Sequence, residues 1–112
     1  MTERRSKYNA HPVEIDGHRF ASRAEARRYE ELRLLERAGE IRDLVVHPSF
    51  ELVVGGQRVG AYVADFAWRG PEPLAELVVE DVKSPATRTP VYRLKRKLML
   101  AVHGIEVVEV RA

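Results

Sequence analysis

Ala61–Trp68 and Leu77–Lys83 are apolar along both of their alternating rows of side chains. A strand of that kind has to be covered on both faces, as the inner strands of a layered sheet are. The chain must therefore supply a covering layer on each side of these two segments. In the first, Tyr62, Ala64, Phe66 and Trp68 point one way and Val63, Asp65 and Ala67 the other. In the second, Leu77, Val79, Asp81 and Lys83 share a face opposite Val78, Glu80 and Val82. Asp65, Asp81 and Lys83 interrupt rows that are otherwise apolar.

The rest of the chain supplies the layers. Val13–Phe20 alternates about Asp16-Gly17, which predicts a β-hairpin. Ser22-x-x-Glu25 reads as a capping box opening a helix, with Tyr29, Leu32 and Leu35 as its apolar stripe and Gly39 closing it near residue 38. Leu44–Val54 reads as a strand that Pro48 confines to an edge or a bulge. Gly55-Gly56 is a turn into a strand over Arg58–Trp68, and Gly70–Pro73 breaks the chain before a strand over Ala75–Lys83. After a loop over Ser84–Thr89, Thr89-Pro90 caps a second helix, with Val91, Leu94, Leu98 and Ala101 predicted as its inner stripe. Gly104 ends that helix, and Ile105–Val110 is a final strand.

The order is an N-terminal hairpin followed by α-β-β-β-α-β, an α/β fold with a central mixed sheet flanked by helices. A crossover helix between the last two strands places them parallel, with right-handed connection. The 112 residues are expected to form one domain, with residues 1–10 as a flexible basic arm.

Charge is unevenly placed behind a net of +2. From Lys83 to His103 there are Lys83, Arg88, Arg93, Lys95, Arg96 and Lys97 without one Asp or Glu, while acids gather in Glu25–Glu40 and Glu72–Asp81. Arg4, Arg5 and Lys7 add to the basic side. This segregation suits a polyanionic partner, although a solvated basic helix accounts for it equally. The absence of Cys excludes a disulfide framework and a thiol nucleophile. No apolar run approaches a membrane span, so a soluble, cytoplasmic protein without a membrane partner is expected.

The interrupting acids carry the chemistry. A turn centred near residue 72 puts Asp65 opposite a residue between Val78 and Glu80, within a position or two of Asp81. Neighbouring strands lie ~4.8 Å apart, close enough for two carboxylates on one face to share a cation. A buried carboxylate needs a cation or hydrogen-bond donors. Lys83 could meet that need as a plain salt bridge to Asp81 or Asp65. Glu25 lies on the inward stripe of its helix, where a capping role already explains it. Asp65 and Asp81 with water and a substrate phosphate would suit Mg²⁺, an ion that prefers oxygen ligands, and Glu25 facing the sheet could still reach it. No Walker motif, His pair at metal-binding helical spacing or nucleophile elbow occurs.

The order Glu25 … Asp65 … Asp81-Val82-Lys83, over helix, strand and strand, resembles the PD-(D/E)XK nuclease superfamily, whose fold is restriction-endonuclease-like. Lys7-Tyr8-Asn9-Ala10, Phe20-x-Ser22-x-x-Glu25-Ala26, Gly39-Glu40-Ile41, Tyr62-x-x-Asp65-Phe66, Val79-Glu80-Asp81-Val82-Lys83 and Tyr92-x-x-Lys95-x-Lys97-Leu98 are similar, more narrowly, to a family of small phage- and prophage-type endonucleases. That similarity spans nearly the whole chain. Ala64 stands where the superfamily's name has Pro, and His47-Pro48 where the narrower family often has Gln before Pro. A lone His beside an apolar strand also has an ordinary structural reading.

The resemblance implies a Mg²⁺-dependent endodeoxyribonuclease, with Mn²⁺ as a substitute, acting on duplex or branched DNA in a bacterial or phage setting. Asp65 and Asp81 would ligate the metal, Glu25 would be a further acid of that site, and Lys83 would position the attacking water and offset charge on phosphorus. Arg88, Tyr92, Arg93, Lys95, Arg96 and Lys97 are the expected nucleic-acid contacts, Lys95 lying nearest the buried face of its helix. Small members of this fold often act as dimers, so a homodimer is expected. The competing reading is a non-catalytic nucleic-acid-binding module on the same fold. The acids speak against it, since they repel phosphate.

Overall fold

Asp16 and Gly17 both take left-handed backbone angles, φ 54° and 79°, which is how a two-residue turn matches the twist of its strands. They join β1 (Val13–Ile15) to β2 (His18–Phe20) in an antiparallel hairpin. A computed structural model describes residues 12–112 of the chain. The expected basic arm over residues 1–10, including Arg4, Arg5, Lys7 and the Lys7–Ala10 motif, lies outside the described residues.

Ser22 caps helix α1 (Arg23–Arg37) by accepting the Glu25 amide at 3.2 Å. The reciprocal half of the capping box is displaced by one residue, because the Glu25 carboxylate takes the Ala21 amide at 3.2 Å. The helix buries Glu25, Ala26, Tyr29 and Leu32. Leu35, expected on the same stripe, is exposed.

The stretch over Leu44–Val54 is not a single interrupted strand. Pro48 divides it into β3 (Arg42–Val46) and β4 (Ser49–Val54), which belong to different sheets. The expected strand over Arg58–Trp68 is likewise two, β5 (Gln57–Val63) and β6 (Phe66–Arg69), broken at Ala64-Asp65. Strands β4 and β5 pair with each other as a separate antiparallel hairpin. The second break inverts side-chain parity: Tyr62 and Ala64 face one core, whereas Phe66 and Trp68 face the other. An uninterrupted strand would have kept all four on one face.

The central sheet has the order β3-β6-β7-β8, with β7 over Leu77–Lys83 and β8 over Val108–Arg111. β3–β6 and β6–β7 are antiparallel and β7–β8 is parallel, so the sheet is mixed as expected. A single 3₁₀ turn at Pro85–Thr87 leads into helix α2 (Pro90–His103), which Thr89 caps at the Tyr92 amide and Gly104 ends at φ 66°. This is an α/β fold of two helices on a mixed sheet.

Each face of that sheet has its own core. Phe20, Ala26, Tyr29, Leu32, Ile41 and Phe66 form one beneath α1. Leu52, Tyr62, Ala67, Val79, Tyr92, Met99 and Val107 contribute to the other, beneath α2 and the β4–β5 hairpin. On β7, Leu77 and Val79 belong to the α2 side and Val82 to the α1 side, matching the alternation of the sequence.

Helix α2 is turned from its expected orientation. Its buried residues are Tyr92 and Met99, while Val91 and Leu94 are 63% and 58% exposed. Leu98 of the expected stripe still packs against the core, so the turn toward Tyr92 is less than the roughly 100° between adjacent residues. Polar partners explain it, since the Tyr92 hydroxyl donates to Glu109 at 2.8 Å and the Arg96 guanidinium to the Val107 carbonyl at 3.0 Å.

The layer of α1 is registered by a buried ion pair. Arg28 makes a bidentate contact with the Glu80 carboxylate at 2.6 and 3.0 Å, and the Trp68 indole donates to the same carboxylate at 3.1 Å. Arg28 follows Glu25 by three residues, so this anchor also sets where Glu25 meets the sheet.

Candidate functional site

The break between β5 and β6 builds the site. β6 begins only after Asp65, so on that side of β7 the Val82 amide meets no strand. The Asp65 carboxylate takes its place, accepting that amide at 2.7 Å. The Asp65 amide in turn donates to the Asp81 carboxylate at 2.9 Å. Its carbonyl accepts the His47 amide at 2.9 Å, and the Ala64 amide donates to the Pro48 carbonyl at 3.0 Å. The two chain breaks of the fold, at His47-Pro48 and at Ala64-Asp65, are thus clasped together.

Phe66 pairs with Glu80, and continuing that antiparallel register sets Asp65 across from Asp81. The expected adjacency of the two aspartates is present. Asp81 is buried and turned toward the α2 side, where it accepts the Tyr62 hydroxyl. Buried Glu25 reaches from the first turn of α1 and brings Oε1 to 2.9 Å from His47 Nε2. Donor atoms of Glu25, His47 and Asp65 all lie within 4.8 Å of one another. That cluster differs from the expected Asp65–Asp81 pair, since Asp81 stands behind it, holding the Asp65 amide.

The poorly solvated setting raises both aspartates. Burial, helped by the Glu25 and Asp81 charges, pushes the Asp65 carboxyl up to about 7, against the Val82 amide and Lys83. Asp81 is also raised, mainly by burial, with the Tyr62 hydroxyl, the Asp65 amide and Lys83 opposing. Burial together with the Asp81 hydrogen bond keeps Tyr62 protonated far above its ordinary range.

Lys83 lies two residues beyond Asp81 on the same face of β7, and its Nζ sits 4.3 Å from the centre of the Tyr92 ring. Such a cation–π contact fixes an ammonium without neutralising it. Tyr92, expected among the nucleic-acid contacts, is only 9% exposed and lies beneath Lys83. Arg88, Arg93, Arg96 and Lys97 line a cleft of about 330 Å³ between α2 and β8. Arg88 is paired there with Glu109 at 3.2 Å, and Arg96 lies 3.8 Å from the same carboxylate. Lys95 is half-buried on the inner side of α2.

Two carboxylates and an imidazole fit a divalent cation by their donor chemistry. Burial first and the neighbouring Glu25 and Asp81 charges second raise the Asp65 carboxyl, and a bound cation would oppose both. His47 is the residue that sequence reasoning left aside. Its signal is conformational: φ of 54° at a residue that precedes proline, a position normally held in extended backbone.

Residues 5–108 match a family model described as "Protein of unknown function (DUF1064)". No curated protein and no solved structure matches the chain. Among the described residues, no helix is long and apolar enough to cross a membrane.

Proposed function

Since the chain belongs to the DUF1064 family, whose description assigns no activity, we propose from the site itself that it is a divalent-metal-dependent DNA endonuclease. The carrying observation is the convergence of Glu25, Asp65 and Asp81 at one end of the sheet, with Asp65 held near neutrality in its titration and Lys83 two residues beyond Asp81. Separate structural roles would not require two buried carboxylates and a half-buried one to meet. The mixed sheet between two helices, with its parallel β7–β8 crossover, supports a restriction-endonuclease-like reading of the fold.

In this reading Glu25 and Asp65 hold the cation, and Asp81 fixes Asp65 through its amide. Held there, Mg²⁺ or Mn²⁺ would supply Lewis-acid polarisation of the phosphoryl oxygen and lower the pKa of a water. Hydrolysis joins the water oxygen to phosphorus, breaks one P–O bond and delivers a proton to the leaving oxygen. Lys83, held over the Tyr92 ring, offsets the charge that gathers on phosphorus. Arg93 and Lys97 on α2 hold flanking phosphates, which positions the duplex without reading sequence.

Plasmid, linear duplex and four-way-junction DNA incubated with the protein in Mg²⁺, Mn²⁺ or EDTA test the proposal. Cleavage with a divalent ion and none with EDTA is expected. Asp65→Asn is expected to bind DNA and not cut it, because Asn keeps an acceptor for the Val82 amide but loses the charge that would hold the cation. Cleavage by that variant at the wild-type rate would remove the assignment. Binding without cleavage under every metal would leave a nucleic-acid-binding module.

A further inference from the structure

The metal preference of the site is set by a residue outside the acidic set. We infer that His47 is itself a ligand, and that its imidazole makes the centre favour a first-row transition-series divalent cation, with Mn²⁺ as the working case, over Mg²⁺. This rests on the metal-dependent reading above and deepens it.

Five observations converge on His47. Its Nε2 lies 2.9 Å from Glu25 Oε1, and neighbouring ligands of an octahedral ion with bonds of roughly 2.1 Å are themselves roughly 3 Å apart. Its donor atom falls within the 4.8 Å cluster that also holds Glu25 and Asp65. Its own amide donates to the Asp65 carbonyl at 2.9 Å, so the main chains of two prospective ligands are tied together. Its backbone is left-handed, φ 54°, immediately before Pro48, and conformations of that kind persist where the surroundings enforce them, often at functional sites. Its ring also packs near Phe20, with centroids 5.9 Å apart, while the side chain keeps 38% of its surface open. The imidazole is therefore oriented by the fold yet reachable from solvent.

A plain Glu25–His47 ion pair would explain the 2.9 Å contact alone. It would not explain why both atoms also face the Asp65 carboxylate. Ligand chemistry then decides the ion. Mg²⁺ takes oxygen ligands and gives up water reluctantly. Replacing an oxygen by a nitrogen penalises it relative to transition-series ions, whose affinity for nitrogen donors rises along the series.

The experiment uses the full chain stripped with EDTA and then loaded with Mn²⁺ or Mg²⁺ alone. Pulsed electron paramagnetic resonance of the Mn²⁺-loaded protein is expected to show nitrogen-14 coupling from a bound imidazole, and His47→Gln is expected to abolish it. Calorimetric titration is expected to show that His47→Gln weakens Mn²⁺ binding by at least ~10-fold while shifting Mg²⁺ binding by less than ~3-fold. Should the Gln variant fail to fold, His47→Asn replaces it, because Asn tolerates a left-handed backbone. Mn²⁺ bound without nitrogen coupling, no Mn²⁺ binding at all, or an unchanged Mn²⁺/Mg²⁺ ratio in the variant would each overturn the inference. Nitrogen coupling in a protein that cuts no DNA would retire the nuclease proposal and leave His47 as a ligand. Mg²⁺-supported cleavage without nitrogen coupling would do the reverse.

Discussion

Asp65 is bonded through its amide and its side chain to β7 and through its carbonyl to His47. This makes it the residue at which stability and function oppose each other. An aspartate whose carboxyl is raised from 3.8 to about 7 binds its proton more tightly folded than unfolded. Between those values the native state carries the extra proton, so the contribution of Asp65 to stability falls as pH rises from about 4 to about 7. Thermal unfolding in EDTA is expected to show the melting temperature of the wild type declining across that window more steeply than that of Asp65→Asn. At pH 8 the Asn variant is expected to be the more stable of the two, because it keeps an acceptor for the Val82 amide and loses the charge. The same substitution is expected to lower cleavage by about 100-fold or more, as loss of a group that binds the reacting centre does. An Asn variant less stable than wild type at pH 8 would mean that Asp65 is a structural residue.

Among the elements, α1 and α2 are placed by polar contacts that a hydrophobic pattern does not contain. Glu80→Gln would leave the Arg28 guanidinium without its charge partner while preserving volume and an acceptor for Trp68. Denaturant unfolding is expected to show a loss of about 2 kcal/mol. Cleavage should fall as well, since Arg28 fixes the turn of α1 that carries Glu25. For α2, Val91→Lys and Leu94→Lys are expected to change stability by less than about 0.5 kcal/mol, whereas Met99→Ala should lose about 3 kcal/mol. The opposite ranking would restore the stripe expected from the sequence. The hairpin at Asp16-Gly17, the Ser22 and Thr89 caps, and the alternation of β7 were all legible, because each depends on residues close in sequence. The rotation of α2 was not, because it depends on Glu109 and the Val107 carbonyl, which only the tertiary fold brings near. The splitting of two strands was half legible: Pro48 marked one break, but nothing local marks Ala64-Asp65.

For the molecule as a whole, the uneven charge of the sequence becomes a sided surface. Arg93 and Lys97 share the α2–β8 cleft with Arg88 and Arg96, whose charges Glu109 partly answers. If that cleft tracks phosphates, log affinity for duplex DNA should fall with log salt, and Arg93→Ala or Lys97→Ala should each make the slope shallower by about 0.9. An unchanged slope in both variants would place the DNA elsewhere. The acids of the centre were legible from the sequence as Glu25, Asp65 and Asp81, because charge inside apolar rows is conspicuous. His47 stood out only as a departure from Gln before Pro, because its place in the cluster depends on a left-handed backbone angle and on the clasp between two chain breaks. The measurement that bears most directly on the whole account is an anomalous difference map from crystals of the full chain grown with Mn²⁺. The account expects one strong peak bounded by Glu25, His47 and Asp65. A fully Mn²⁺-loaded crystal with no density among those three side chains would contradict it.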